Sequence, residues 1–366
     1  RACREGVAEA VQSFRNAHVQ TVMITGDHVD TALAIAKELG IAQSHEQCMR
    51  GEELEVLSQE ELIGRVEGIR VFARVSPEHK VRIVHSLKAK GKTVAMTGDG
   101  INDAPALRSA DVGVAMGKSG TDVARNAADL ILTDDNFSTI EKAIREGRGI
   151  YENIRKTILF LLSSNFGEII TMLAAVLAGF PATLKASHIL WVNLATATLP
   201  ALALGVDPAS KNIMKHPPVK SGTLFEASLI SRVITQGIFV AATTITAYWI
   251  GVTIGGHTVG QTMAFCVLAL SQMLRAFNQR SNTEPIWVRS EGMNPWLFVS
   301  FGVSAILMAC ILFIPVLQSI FHLTTLTWIQ WLIVLGLSVL SMIQVEAVKW
   351  MIKLISYYKH KRQSEK

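Results

Sequence analysis

Two acids four residues apart, Asp99 and Asp103, lie in the run Thr97-Gly98-Asp99-Gly100-Ile101-Asn102-Asp103-Ala104-Pro105-Ala106-Leu107. A carboxylate at a strand end can hold Mg²⁺, with the second acid one helical turn further on. The glycines let backbone approach a phosphate closely. Two more groups suit the same chemistry. Thr25-Gly26-Asp27 offers a hydroxyl and a backbone N–H to a phosphate oxygen. Arg74 and Lys80 stand in Ala73-Arg74-Val75-Ser76-Pro77-Glu78-His79-Lys80, where the lysine can act as a point charge on a phosphoryl group. Alone, the first is an ordinary turn and Lys80 an ordinary helix-surface lysine. The eleven-residue run is far more specific.

A second set of polar groups lies in apolar surroundings. Ser163-Ser164-Asn165-Phe166-Gly167-Glu168 puts Asn165 and Glu168 at i, i+3, on one helical face. Asn193 and Thr196 are spaced alike, and Pro200 is expected to loosen their helix and free carbonyls. All four side chains carry oxygen donors, which suit a hard cation. For the amides and the hydroxyl, hydrogen bonding between helices is an equal reading.

The elements that must position these groups fall into two kinds. Up to about residue 137, strands (Val19–Thr25, Ile69–Ala73, Thr93–Thr97, Val112–Met116, Leu130–Leu132) alternate with helices (Val29–Leu39, Pro77–Lys90, Asp122–Ala127). That alternation predicts a parallel, doubly wound sheet with its functional loops at the strands' C-terminal ends. The Glu-rich stretch from Ser44 to Gly68 reads as a solvated helix pair. A charged stalk, 138–157, is predicted to continue unbroken into the first of six apolar runs. The runs cover about 158–180, 188–206, 229–250, 259–274, 296–317 and 328–345, each near the length a bilayer requires. A basic tail, 351–366, follows, with Lys359, Lys361 and Arg362.

The chain has 366 residues, 49% of them hydrophobic and 18% charged, too apolar for an ordinary soluble protein. Its net charge of +5 sits mostly in loops and the tail, a membrane flank and no nucleic-acid surface. Lys211, Lys215 and Lys220 in one loop, and Arg275, Arg280 and Arg289 in another, place the head and both termini in the cytosol. The four cysteines have neither metal nor disulfide spacing.

The run from Thr97 to Leu107 resembles the hinge motif of P-type ATPases, and Thr25–Asp27 and Phe72–Lys80 are similar to that family's companion motifs, in the expected order. The resemblance implies an α/β head, part of a haloacid-dehalogenase-like (Rossmann-type) phosphorylation domain (1–137), followed by an all-α bundle of six transmembrane helices. It implies Mg²⁺ on Asp99, completed by Asn102 and Asp103. Phosphate would lie on Thr25, Gly26 and Lys80, and ATP beside Asp27 and Arg74. The two polar helices resemble those of reticulum-type and bacterial calcium pumps, which implies Asn165, Glu168, Asn193 and Thr196 as cation ligands, with Ca²⁺ transported across a lipid bilayer, a bacterial plasma membrane.

This sequence departs from that pattern. The family's phosphorylated Asp-Lys-Thr-Gly-Thr motif is absent from it. The expectation is a C-terminal portion, inactive alone, whose N-terminal half is missing, or else a non-catalytic membrane half that pairs with a separate chain. Ala197 and Gln272 stand where the family keeps carboxylates, leaving Glu168 as the one deep acid. Affinity for Ca²⁺ depends on ligand charge, so a weaker or single-ion site, or Mn²⁺, Na⁺ or H⁺ as cargo, is the alternative. A membrane-tethered phosphatase of the same head fold is the competing class.

Overall fold

The computed structural model describes residues 6–219, 225–281, 286 and 292–364, with side chains as far as residue 354. Lys220, Arg289 and the side chains of Lys359, Lys361 and Arg362 lie outside the described residues. The chain divides into two compact units: Arg1–Gly147 with Asn212–Gly222, and Arg148–Lys211 with Thr223–Lys366.

The first unit follows the expected alternation. After α1 (Val7–Asn16) come β1 (Met23–Thr25), α2 (Val29–Glu38), β2 (Cys48–Arg50), α3 (Gly51–Val56), α4 (Gln59–Arg65), β3 (Val71–Ala73) and α5 (Pro77–Ala89). β4 (Ala95–Gly98), α6 (Ala104–Ser109), β5 (Val112–Met116), α7 (Asp122–Ala127) and β6 (Leu130–Leu132) complete it. In place of one sheet there are two of three parallel strands, in the orders β1-β3-β2 and β4-β5-β6. β1 and β4 are each an edge, because no strand among the described residues pairs with both.

The acidic stretch 44–68 is more than a solvated helix pair. It contains β2, which pairs with β3 in register Met49 to Phe72. Leu54, Leu62 and Val66 are fully buried against Phe72 and Ile83. The Glu residues cover only the outer face, while α4 starts on a capping box in which Ser58 and Glu61 exchange hydrogen bonds with each other's backbone. Asp135 closes a turn beyond β6: backbone N–H bonds from Lys118, then Ser119, pull its carboxyl down to about 2.

The predicted stalk and first span form one helix, α8 (Ser138–Leu177). The second run is broken in character: α9 (Ala186–Trp191), a wider π-type turn (Val192–Ala197) and α10 (Thr198–Gly205). α11 (Ala227–Gly255) and α12 (His257–Asn278) follow. The fifth run ends early: α13 (Pro295–Phe313) stops and α14 (Pro315–Ile320) restarts, with Ile314 extended between them. Pro315 is the cause, since the residue before a proline is pushed out of helical conformation. α15 (Trp328–Ser364) carries the helix through the tail.

Five of these segments (Ser138–Leu177, Ala186–Gly205, Ala227–Gly255, Pro295–Phe313 and Trp328–Leu354) are long and apolar enough to cross a membrane. The fourth predicted run, α12, is long enough but not apolar enough, because Gln261, Gln272, Arg275 and Asn278 interrupt it. All four are buried. α12 is enclosed on nearly every side, so its polar groups face protein. α8 and α11 approach so closely that a methyl group at Gly237 would sit 2.6 Å from the Phe166 ring, the small-residue contact that membrane helices use to pack.

Two arginines assigned to a loop are also inside the second unit. Arg275 belongs to α12 and is fully buried; Arg280 is 2% exposed. Arg280 donates to Asp207 at 2.6 Å, where Lys156 (3.3 Å) and Asn294 (3.0 Å) also bind. These charges hold helices together, so among the described residues the loop argument for orientation keeps Lys211 and Lys215.

Candidate functional site

In the first unit the structure brings Lys80, Asp99, Gly100 and Asp103 together. Ser76 caps α5 and Pro77 opens it, which sets Lys80 on the helix's first turn. Its ammonium reaches Asp103 Oδ1 at 2.5 Å. Asp103 Oδ2 accepts the backbone N–H groups of Asp99 (3.2 Å) and Gly100 (3.1 Å). This buried carboxylate therefore has both oxygens occupied by donors, and it fixes the loop after β4. Gly98 is required for that: a methyl group there would collide with Asp103, within 2.7 Å of its Cγ.

Asp99 differs. It is exposed, and among the described residues its side chain has no hydrogen bond or ion pair. Asn102 is exposed beside it. No group of three or more His, Cys, Asp or Glu among the described residues could enclose a metal. One free carboxylate nevertheless fits Mg²⁺, which keeps waters and takes much of its coordination from substrate phosphate oxygens.

Thr25, Gly26 and Asp27 stand at the C-terminal end of β1, where the hydroxyl of Thr25 bonds to Asp27 Oδ2 (3.2 Å) and accepts the Asp27 N–H (3.1 Å). The turn closes on itself, with no bond to Lys80 or Asp103. Arg74, after β3, has φ +53°, strained for a residue with a side chain. With His28, Arg50 and Glu52 it lines a small cavity of about 30 Å³. The phosphate-type groups thus occur as one connected cluster and two separate turns.

In the second unit Glu168, 4% exposed, accepts Asn193 Nδ2 at 3.0 Å on one oxygen and Gln272 Nε2 at 3.2 Å on the other. α8, the π-type turn and α12 each supply one of these side chains. The Oε1 of Gln272 is buried with no hydrogen-bond partner, as is the hydroxyl of Ser164, one turn before Glu168. A buried carboxylate with only neutral partners has its charge balanced by a cation or a proton.

The loosening expected at Pro200 lies just before it, in Val192–Ala197. Proline has no N–H for the carbonyl one turn back, and hydroxyls take up freed groups: Thr198 donates to Asn193 O (2.7 Å) and Ser304 to Ala195 O (3.0 Å). Thr196 spends its hydroxyl on Val192 O (2.8 Å). Asn165 is exposed and makes no bond to Glu168; its neighbour Ser164 takes the inward place. Ala197 belongs to an apolar cluster with Phe160, Ala201, Leu204, Ala276 and Leu297. Sequence reasoning missed Ser164, Ser304 and the role of Gln272 as a partner of Glu168. A polar residue one turn from Glu168 was the available signal for Ser164.

Comparison with known proteins adds the following. Residues 181–351 match a family described as cation transporting ATPase, C-terminus. Residues 2–111, and again 81–144, match haloacid dehalogenase-like hydrolases. The chain is 47% identical to Calcium-transporting ATPase 1 of Bacillus cereus, over 94% of its own length and 41% of that protein's. It is 47% identical to the Calcium-transporting ATPase of Bacillus subtilis over 92% of its length and 38% of that protein's. It is 36% identical to Calcium-transporting ATPase type 2C member 2 of Mus musculus, over 96% and 38%. The chain therefore spans about two fifths of these relatives.

Proposed function

We propose that this chain, a member of the P-type cation-transporting ATPases, forms part of an ATP-driven Ca²⁺ pump in which Glu168 binds the transported ion. The observation that carries this is a buried carboxylate bridging two amides on separate elements, with no cationic partner among the described residues. Glu168, the side-chain oxygens of Asn193 and Gln272, and the hydroxyl of Ser164 supply hard-cation donors. Rotation of each amide would present its oxygen to the ion. Thr196 joins only by releasing Val192 O, and exposed Asn165 is left out of this set. With one acid, the site suits one Ca²⁺; the calcium named in the relatives favours that cargo over Mn²⁺, Na⁺ or H⁺.

In the head, Asp99 is the carboxylate free to hold Mg²⁺, with Asn102 beside it. Bound there, Mg²⁺ supplies charge neutralisation on a transferring phosphoryl group. Lys80, oriented by Asp103, places its ammonium at the same strand end. Thr25 and Gly26 contribute a hydroxyl and an N–H at the end of β1, and Asp27 and Arg74 would lie beside the nucleotide. The phosphorylated carboxylate would come from outside these 366 residues, from the rest of the pump. α12 crosses the bilayer as the fourth of six spans, shielded by its neighbours, with the head in the cytosol.

The test is a Ca²⁺ titration of the purified full chain in detergent, followed with radiolabelled ion. Saturable binding of one Ca²⁺ per chain, displaced by Mn²⁺ better than by Na⁺, is expected. Absence of saturable binding by any of these cations overturns the reading of Glu168.

A further inference from the structure

A cavity within the second unit has no part in the sites above. It lies between the start of α11, the end of α12 and the middle third of α15, and holds about 110 Å³. Its polar lining includes Arg232, Gln236, Gln279 and Lys349. Phe239, Val348 and Ile352 are among its apolar lining.

The charges around it do not balance. Lys349 is paired with Glu346 at 2.8 Å, and Arg155 with Glu226 at 3.0 Å. Arg232 is half-buried, and no carboxylate among the described residues pairs with it. The three cations are close enough that Arg155 acts on Arg232, and Arg232 on Lys349, as like charges. Among the described residues three cations stand against two carboxylates, which leaves the Arg232 charge without a carboxylate in a helix apolar enough to cross a membrane. A charge so placed is costly without an anion. The guanidinium has a donor geometry matched to phosphate.

We infer that this cavity binds the phosphate of an anionic glycerophospholipid, with Arg232 as its main contact and its acyl chains running along the outer faces of α11 and α15. The volume accommodates a headgroup phosphate and not a whole lipid. Ile234, Ile238 and Ile352 are exposed beside it and offer the apolar track for the chains. Basic pockets between membrane helices on the cytosolic side recognise anionic headgroups in this way. The inference rests on the proposed function only for the leaflet, which follows from a cytosolic head.

The experiment is native mass spectrometry of the full chain in detergent, with equal amounts of phosphatidylglycerol and phosphatidylcholine of the same acyl length. Phosphatidylglycerol should be retained roughly fivefold better, in line with about 1 kcal/mol for a cation near an anionic surface. Arg232→Gln should reduce that preference to near unity, and Arg232→Lys should keep most of it, which excludes a folding defect. Millimolar inorganic phosphate should not displace the lipid. Equal retention of the two lipids, an unchanged preference in Arg232→Gln, or displacement by inorganic phosphate would each overturn the inference. Retention is read without ATP or Ca²⁺. A chain that keeps phosphatidylglycerol but binds no cation refutes the pump reading and leaves this site standing.

Discussion

Asp103 in the first unit and Glu168 in the second are both buried carboxylates, and they are treated in opposite ways. Asp103 receives an ammonium and two backbone N–H groups. Glu168 receives two neutral amides. The first acid is charge-balanced by the fold, so it works as a positioning group, and the acid beside it, Asp99, is left free. The second is left with a charge that its own helices do not cancel. On the proposed reading, where the protein leaves a carboxylate uncompensated, in water at Asp99 or in the bundle at Glu168, a bound cation would supply the missing positive charge.

Four measurements break or sharpen this contrast. The largest effect is expected from Glu168→Gln, which preserves size and removes the charge; Ca²⁺ affinity should fall on the order of 100-fold, since affinity follows ligand charge. A titration with unchanged affinity would make Glu168 a structural acid like Asp103. Next is Ala197→Asp. Restoring a carboxylate at that position looks like a gain from sequence, but Ala197 is packed among Phe160, Leu204 and Leu297. An unpartnered carboxylate there should cost about 2–3 kcal/mol of stability and give no tighter Ca²⁺ binding. Tighter binding would show that the turn rotates to bring residue 197 to the ion.

Gly98→Ala comes third. It forces a methyl group into Asp103 and should cost about 2 kcal/mol in the first unit, the usual penalty for overpacking, while Ca²⁺ binding by the second unit stays unchanged. Hydrogen exchange of the Asp99 and Gly100 amides reads the first effect. The smallest is a pH effect. The Asp135 carboxyl is lowered from 3.8 to about 2 by the N–H groups of Lys118 and Ser119. A group held below its unfolded value stabilises the folded state above that value, and the contribution is lost as pH falls through the folded one. Protection of the Lys118 and Ser119 amides should therefore hold above pH 4 and decline toward pH 2. Asp135→Asn should remove the pH dependence.

The legible parts of the molecule were those in which a motif coincides with an element's end. Asp99 and Asp103 follow β4, Lys80 sits on the first turn of α5 behind Ser76-Pro77, and the strand ends could be placed from Gly and Asp alone. β2 was not legible because three residues, Cys48 to Arg50, carry no period, and their pairing with β3 is a tertiary choice. Arg275 and Arg280 were misplaced because charge in sequence reads as solvent. Only the fold shows that Asp207, Ser163 and Gln236 receive them. Asn165 and Ser164 exchanged roles for a similar reason: i, i+3 and i, i+4 both flank Glu168, and neighbouring helices decide which side is enclosed.

The Asp207 cluster bears on how the second unit is made. Lys156 is 51 residues before Asp207, and Arg280 and Asn294 are 73 and 87 after it. During synthesis Lys156 and Asp207 emerge long before either later partner. Until Arg280 and Asn294 have been translated, Asp207 has to stay where water or Lys156 alone can satisfy it. Closure of this cluster is therefore a late event in biogenesis, one that only a chain extended past residue 294 can complete, and it acts as a timer on the burial of α8 against α10, α12 and α13.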